Sequence, residues 1–221
     1  SGLLLQRTDQ VMKEEEADFS MLFTGVQGHY ARYGWVEVPR FWLEQPSIPS
    51  VEVDSGSLTV EEKDWWRPLD PLMLEDIYFE AADGIPITCE RDESIWLASV
   101  RERLNRPERT SFLAWEGEAL MGYLIAGVNG ESLEVVEAGG AAQALAPLAS
   151  AACHWGLKKG LSKLSLNLPQ KLLARLPVWM TSEAVERSGS WTMVKAISGR
   201  WGQAEIEELF TSKKAHHFAL D

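Results

Sequence analysis

The amino-acid sequence predicts an α/β fold with a mixed sheet, and two observations support this prediction. From residue 65 onward, segments with the periods of strands and helices follow the order strand, helix, helix, three strands, long helix, strand, short helix, strand. Residues 3–43 repeat the second half of that order, as long helix, strand, short helix and strand. We therefore expect one complete unit, preceded by the second half of a similar unit.

The first segment contains four predicted elements. "LLLQRTDQVMKEEEA" places apolar residues on one face and predicts an amphipathic helix over about residues 3–16. "DFSMLFT" is typical of a buried strand, "GVQGHYARYG" of a short helix that ends at Gly34, and "WVEVPRFWL" of a second strand. Residues 44–64 are acidic and rich in Pro and Ser, which favours a linker with at most one short strand, at "VEV".

The second unit is predicted to begin at "WWRPL". Asp70 and Asp92 precede apolar helical patterns and are expected to cap two helices. "TSFLAWEGEALMGYLIAGVNGESLEVVEA" predicts three antiparallel strands joined by turns at "EGE" and "NGE". A long apolar helix then ends at Gly160. The remaining predicted elements are a strand, a short helix, a strand and a last helix, in "LSKLSLNLP", "QKLLARLP", "SWTMVKAIS" and "GQAEIEELFT".

A motif in the first segment points to a known family. The run from His29 to Trp35 is similar to the pattern Phe-Tyr-x-x-x-Gly-Phe of the GNAT acyltransferases, with Tyr30 four residues before Gly34. The order of elements from residue 65 also resembles the GNAT fold, across about 130 residues. The chain therefore resembles a tandem GNAT protein of the enhanced-intracellular-survival type, truncated within its first domain.

The resemblance implies a division of the chain and an activity. Residues 1–43 would be the C-terminal part of a first GNAT domain, 44–64 a linker, and 65–221 a second, degenerate GNAT-like domain. The intact protein would transfer an acyl group from acetyl-CoA to an amine of a small molecule or peptide. This chain alone is expected to be inactive and to bind acetyl-CoA weakly or not at all. The alternative is a noncatalytic binding or scaffold module.

Tyr30 is the predicted catalytic residue. In the family, the resemblance assigns the matching tyrosine to protonating the CoA thiolate as the tetrahedral intermediate collapses. A phenol with an ordinary pKa of about 10 is protonated at neutral pH, as a general acid must be. The alternative is that Tyr30 is a half-buried aromatic residue that holds its helix against the sheet.

Four residues are predicted to contact the cofactor. In GNAT domains a glycine-rich loop and the N-terminus of the long helix hold the pyrophosphate. Gly2 would be the last residue of that loop, unless the initial Ser-Gly is a vector scar, and Leu3 begins the helix. Thr24 and Gly25 occupy the place where the family often has an asparagine in contact with the cofactor.

The second unit has a weaker candidate for the same site. Gly139 and Gly140 precede its long helix and are compatible either with an anion-binding turn or with a simple strand-to-helix connection. Glu134 and Glu137 lie beside them, and two carboxylates repel a pyrophosphate. We therefore expect no CoA site in this unit.

Charge narrows the range of partners. The net charge of −12 and the pI of about 4.9 disfavour nucleic acid as a partner and would attract a cationic amine, although the acidity is also explained by solubility alone. The sequence shows neither a secretory leader nor a membrane-spanning apolar run, so we expect no membrane partner.

The cysteines and histidines suggest no further chemistry. Cys89 and Cys153 are predicted to be structural thiols in a reducing cytoplasm, since Cys153 and His154 are neighbours on a helix and point apart. His29 is a tempting base but more typical of packing, and His216 and His217 lack the spacing of metal ligands, so no metal site is predicted.

The incomplete first segment carries much apolar surface. We expect its strands to pair with the sheet of the second unit near the closing strand at 190–197, or with another copy of the chain across a two-fold axis, giving a homodimer. Trp35, Phe41 and Trp42 should then be largely buried.

Overall fold

The computed structural model describes residues 2–64, 70–85, 91–104 and 106–212. The helices in chain order are α1 (Gly2–Glu14), α2 (Gln27–Ala31), α3 (Glu75–Ala82), α4 (Glu93–Ile95), α5 (Arg101–Leu104), α6 (Ala142–Lys158), α7 (Gln170–Leu173) and α8 (Gln203–Thr211). The strands are β1 (Phe19–Phe23), β2 (Val36–Gln45), β3 (Thr59–Asp64), β4 (Arg109–Glu116), β5 (Ala119–Asn129), β6 (Ser132–Gly140), β7 (Lys163–Leu166) and β8 (Val185–Ala196). These eight strands belong to a mixed sheet.

The first compact unit combines two separate stretches of the chain. It contains residues 2–41 and 188–212, and its strand order is β1-β8-β2. β1 and β8 are antiparallel, with Phe19 opposite Ala196. On α8, Phe210 is fully buried, and its ring lies 6.0 Å from the ring of Phe19. β8 and α8 therefore complete the unit that the first residues begin.

This arrangement confirms the predicted pairing of the first segment near the closing strand. The register runs from Phe19 opposite Ala196 to Phe23 opposite Thr192, inside the predicted range of 190–197. Trp35 is 5% exposed, as predicted. Phe41 and Trp42 are only half-buried, so the prediction of extensive burial holds for one of the three aromatic residues.

The second compact unit, residues 42–187, has the strand order β2-β7-β6-β5-β4-β3. Its neighbouring strands are antiparallel except for β6 and β7, which are parallel and are connected through α6. The three consecutive antiparallel strands were predicted from the sequence, and this prediction is confirmed. Gly117 and Gly130 have positive φ values of 60° and 59° in the two predicted turns.

Two apolar clusters cover the two faces of this unit's sheet. The α6 face buries Leu148 together with sheet residues such as Phe112 and Leu133. The opposite face buries Tyr78 of α3 and Trp96, which begins a π-helical turn at Trp96–Val100 between α4 and α5. The sheet is therefore enclosed by helices on both sides, which explains why its central strands are almost continuously apolar.

The predicted helix caps are present. The carboxylate of Asp70 accepts a hydrogen bond from the Leu72 N–H at the start of the 3-10 turn that precedes α3. The carboxylate of Asp92 accepts one from the Ile95 N–H, 2.8 Å away, at the start of α4. Both side chains satisfy backbone donors that a helix leaves unpaired in its first turn.

The stretch predicted as a linker is partly strand. Residues 59–64 form β3, which pairs with β4 from Thr59 opposite Trp115 onward, while residues 51–53 form no strand. The predicted strand at "WWRPL" comprises residues 65–69, which lie outside the described part of the chain. β3 ends the strand order, and its charged residues Glu61, Glu62 and Lys63 are typical of an edge strand.

Candidate functional site

The predicted catalytic residue Tyr30 lies on α2, the short helix between β1 and β2. Its side chain is half-buried, and its ring makes edge-on contacts with His29, at 5.1 Å, and with the buried Trp35, at 6.4 Å. The Tyr30 carbonyl accepts a hydrogen bond from the Tyr33 N–H, and Gly34 turns the chain into β2 with a φ of 86°. The spacing of the motif therefore has a structural cause, since only glycine adopts this φ without strain.

Thr24 and Gly25 lie in the turn between β1 and α2, and β8 fixes this turn. The Thr24 N–H donates to the Trp191 carbonyl at 2.8 Å, and the Gln27 side chain donates to the Ser190 carbonyl at 2.7 Å. The Thr24 hydroxyl accepts from the Val26 N–H. Gly25 is exposed, and a Cβ placed on it would have no neighbouring atom within 4 Å. Ligand access to this turn is thus not blocked by packing.

Gly2 and Leu3 begin α1, and the structure adds one residue to this group that sequence reasoning missed. A Cβ at Gly2 would lie 2.8 Å from the Tyr33 hydroxyl, so Tyr33 packs against the first turn of α1. Leu3 is 84% exposed. Tyr33 also lies inside the motif, between Tyr30 and Gly34, which was the available sequence signal.

These contacts bring two parts of the predicted site together. Tyr33 contacts the start of α1 and also the ring of His29, at 5.7 Å, and His29 in turn contacts Tyr30. A helix N-terminus attracts anions, and a protonated phenol can donate a proton to a leaving thiolate. The unit therefore places a group suited to phosphate and a group suited to acid catalysis on adjoining elements.

The second unit has a comparable place, where β6 and β7 separate. The parallel register ends at Val135 opposite Leu166, and the Asn167 N–H donates to the Val135 carbonyl. β6 then continues to Gly140, while the segment after β7 leads into α7. Neither of the unit's two tyrosines, Tyr78 and Tyr123, lies on α7, so this unit lacks a counterpart of Tyr30.

The glycine pair of the second unit is explained by close packing. Gly139 and Gly140 end β6 and pair with Tyr123 and Gly122. A Cβ at Gly140 would lie 2.3 Å from the Gly122 Cα, and Gly140 has a φ of 120°. The next N–H, of Ala141, already donates to the Met121 carbonyl. The pair thus allows β5 and β6 to approach, and it needs no bound anion.

Both carboxylates expected beside that glycine pair have cationic partners. The buried Glu137 accepts two hydrogen bonds from Arg91, at 2.9 and 2.6 Å, and a third from the Tyr123 hydroxyl. Glu134 accepts from the Asn167 side chain and lies 3.9 Å from an Arg109 nitrogen. The predicted repulsion of a phosphate is therefore offset within the protein, and steric packing is the stronger argument against an anion there.

The Arg91–Glu137 pair was not predicted from the sequence. Burial alone lowers the pKa of Arg91, but the charge and hydrogen bonds of Glu137 raise it by more, so that this pKa lies above its ordinary value. Burial and Glu137 both raise the pKa of Tyr123 well above its usual range. Arg91 consequently stays charged and Tyr123 stays protonated at neutral pH, as members of a structural network do and the groups of a proton-transfer site do not.

The remaining candidates bring no further chemistry within the described residues. Cys153 is buried in α6, and burial raises the pKa of its thiol to about 12. His154 bonds to the Ser150 carbonyl of its own helix. In the described ranges, no cluster of three or more potential metal ligands occurs, and no helix is long and apolar enough to cross a bilayer. Cys89, His216 and His217 lie outside those ranges.

Comparison with known proteins identifies the fold. No protein-family model and no curated protein matches the sequence. A GCN5-related N-acetyltransferase from Kribbella flavida matches 90% of this chain and 48% of its own, with a TM-score of 0.61 and 15% identity. The alignment with a GCN5-related N-acetyltransferase from Anabaena variabilis covers 88% of this chain and 50% of that protein, with a TM-score of 0.59 and 19% identity. The alignment with a probable N-acyltransferase from Enterococcus faecalis V583 covers 88% of this chain and 49% of that protein, with a TM-score of 0.59 and 16% identity.

The chain is also similar to Eis1 of Mycobacterium abscessus. This alignment covers 90% of the chain and 52% of Eis1, with a TM-score of 0.52 and 13% identity. The chain thus spans about half the length of the solved structures that it matches. Together with the strand order and the parallel pair around α6, these similarities show that the chain has the fold of the GNAT acetyltransferases.

Proposed function

We propose that this sequence belongs to an acetyl-CoA-dependent N-acyltransferase of the GNAT type that acts in the cytoplasm on an amine of a small molecule or peptide. In this proposal the catalytic domain begins upstream and includes residues 1–43 together with β8 and α8, and the rest of residues 65–221 forms a GNAT-like domain without a cofactor site. The fold alone does not decide chemistry, so the argument depends on the residues of the site.

The placement of Tyr30 is the observation that supports the proposal. It lies on the short helix after β1 and contacts His29, which contacts Tyr33 at the first turn of α1. An acyl-CoA presents a pyrophosphate and a thioester to the enzyme, and these two features need an anion site and a proton donor. The second unit offers neither, because its glycine pair is closed by packing and α7 carries no tyrosine.

The proposed chemistry uses the phenol in one step. The acceptor amine attacks the thioester carbonyl, and collapse of the tetrahedral intermediate breaks the carbon–sulfur bond. The electron pair of that bond goes to sulfur, and the Tyr30 hydroxyl supplies the proton that converts the thiolate to the free thiol. The proton lost by the amine nitrogen passes to water, and water returns a proton to the Tyr30 phenolate before the next turnover. Thr24, Gly25, Gly2 and Leu3 would contact the cofactor through the turn after β1 and the first turn of α1.

The test is steady-state kinetics of the natural polypeptide that extends upstream of residue 1. Tyr30→Phe should lower kcat by about 100-fold or more and leave the KM for acetyl-CoA nearly unchanged, because only the proton donor is lost. Tyr33→Phe is the matched control, and it should raise the KM for acetyl-CoA with little effect on kcat. Unchanged turnover in Tyr30→Phe would show that Tyr30 is not the proton donor and only packs its helix against the sheet.

A binding measurement complements the kinetics. The 221-residue chain should show no tight acetyl-CoA site in titration calorimetry, because Gly2 supplies only the last residue of the proposed phosphate loop and the second unit offers no phosphate site. A micromolar acetyl-CoA site in this chain would contradict the proposal that the cofactor binds only to the domain that begins upstream.

A further inference from the structure

The turn between β5 and β6 contains the pair Asn129-Gly130. Asn129 ends β5, Gly130 and Glu131 form the turn, and all three residues are exposed. The side chain of an asparagine is a carboxamide, and its carbonyl carbon can come within bonding reach of the next backbone nitrogen. A glycine at that next position has no side chain to hinder the approach. The pair therefore combines an electrophilic carbon with an accessible nitrogen.

The structure leaves both of these groups without competing contacts. In the part of the chain that the structure describes, the Gly130 N–H has no hydrogen-bond acceptor, and the Asn129 side chain makes no hydrogen bond. A Cβ placed on Gly130 would have no atom within 4 Å, so a ring closed at this position meets no steric barrier. Gly130 has a φ of 59°, a conformation that few other residues adopt without strain.

Asn167 shows how an asparagine in this unit is protected. Its side chain donates to Glu134 Oε1 at 3.3 Å, and its backbone N–H donates to the Val135 carbonyl at 2.8 Å. The next residue, Leu168, is only 5% exposed. A carboxamide held by a partner and followed by a buried, bulky residue does not reach the next nitrogen. The remaining asparagine, Asn105, lies outside the described residues.

We propose that Asn129 is a site of spontaneous deamidation, at which the chain modifies itself with water as the co-reactant. The Gly130 nitrogen attacks the side-chain carbonyl carbon of Asn129, and a new carbon–nitrogen bond forms. The bond to the side-chain nitrogen breaks, and that nitrogen leaves as ammonia with the proton that the Gly130 nitrogen has lost. This proposal does not depend on acyl transfer.

Water completes the reaction by opening the succinimide ring at either of its two carbonyl carbons. Opening at one carbon gives an aspartate at this position. Opening at the other gives an isoaspartate, in which the main chain runs through the former side-chain methylene. The ring can close only after the end of the hairpin opens, because an extended residue holds its side chain away from the next nitrogen. The last pair of this hairpin, Asn129 opposite Ser132, lies where strands open most easily.

The turn also holds the start of β7, which gives the modification a structural effect. The Glu131 carbonyl accepts hydrogen bonds from the Ser162 N–H at 2.9 Å and the Lys163 N–H at 3.2 Å. Lys163 lies opposite Ser132 at the start of the parallel pairing of β6 with β7. An isoaspartate lengthens the main chain by one methylene immediately before the turn, and this shifts the Glu131 carbonyl. The isoaspartyl form should therefore hold the start of β7 less firmly.

Peptide mapping by mass spectrometry tests the modification. The 221-residue chain is kept folded at mildly alkaline pH, where the backbone nitrogen loses its proton more readily, and is sampled over weeks. The peptide with Asn129 should gain the mass expected when an amino group is replaced by a hydroxyl, and should separate into aspartyl and isoaspartyl forms. The peptide with Asn167 should stay unchanged. Asn129→Gln is the matched control, because its longer side chain closes the ring far more slowly, and the mass gain should be lost. An intact Asn129, or equal modification of Asn129 and Asn167, would overturn the proposal.

Hydrogen exchange tests the effect on β7. Asn129→Asp has the new charge on a normal main chain, so it separates the effect of charge from that of the added methylene. In the isoaspartyl fraction, the Ser162 and Lys163 amides should exchange faster than in unaged protein. In freshly purified Asn129→Asp, both amides should exchange as they do in unaged protein. Unchanged exchange in the isoaspartyl fraction, or equally fast exchange in Asn129→Asp, would contradict the proposed effect.

Discussion

Arg91 and Glu137 form a buried, bidentate ion pair, with nitrogen–oxygen distances of 2.9 and 2.6 Å. The guanidinium carbon also lies 3.9 Å from the centroid of the Tyr78 ring and 4.9 Å from that of Trp96. Arg91 thus connects the segment before α4 to the middle of β6. Removing one partner of such a pair leaves a charge buried without compensation, which costs more than the pair itself contributes.

We predict that Arg91→Met alone lowers the free energy of unfolding by about 3–5 kcal/mol, because Glu137 then remains buried without its cation. Replacing both residues, as Arg91→Met with Glu137→Leu, should recover a large part of that loss. The exposed pair of Arg187 and Glu44, at 3.4 Å, is the control, and Arg187→Met should cost less than about 1 kcal/mol. Urea denaturation measures all three variants; equal losses at both sites would contradict the argument.

Gly140 should tolerate no side chain. Its φ of 120° and the 2.3 Å gap between a Cβ and the Gly122 Cα mean that Gly140→Ala must separate β5 from β6. We expect a loss above about 4 kcal/mol or no folded protein, since backbone atoms cannot move aside as side chains do. Gly117→Ala is the control, because that turn has open space, and it should cost about 1–2 kcal/mol for the left-handed conformation. Thermal unfolding decides the comparison.

The Cys153 thiol should react slowly in the folded protein. Burial raises its pKa to about 12, so at pH 8 about one thiol in ten thousand is ionised, and only the thiolate is nucleophilic. In a Cys89→Ser background, alkylation should be slow at pH 8, should accelerate as the pH rises toward 12, and should become fast in denaturant. Rapid alkylation at pH 8 without denaturant would show that α6 opens easily.

Deletion of residues 1–43 should make the remaining chain aggregate. The deletion removes β1 from β8 and Phe19 from Phe210, and thereby exposes a strand edge and a buried aromatic side chain. Deletion of residues 1–17 is the control, because α1 has no buried residue, and this product should stay soluble. If the longer deletion gives a soluble monomer of unchanged Tm, the first segment is only loosely attached.

The sequence predicts most of this fold because its turns and caps are local signals. Gly117 and Gly130 define the turns of the three-stranded meander, and Asp92 caps its helix within three residues. β3 was missed because "TVEEKD" is charged and lacks alternation, as edge strands often are. The first half of β8 was missed for a similar reason, since "VERSG" is polar.

The site was less predictable, because its contacts join residues that are distant in the sequence. Arg91 and Glu137 are 46 positions apart, and no local pattern relates them. Tyr33 lies within the recognised motif, but only the structure shows that it contacts Gly2. The role of Gly139 and Gly140 depends on how closely β5 approaches, which is a property of packing that periodicity does not encode.

The pairing of β1 with β8 has a consequence for synthesis on the ribosome. Phe23 emerges about 170 residues before its partner Thr192. At roughly 5–20 residues per second, β1 therefore waits about 10–30 s for a strand that has not yet been made. During that interval the nascent chain presents "FSMLF" with both edges free, unless upstream residues have already paired with one of them. We therefore expect the nascent chain's dependence on chaperones to be governed by the number of residues between β1 and β8.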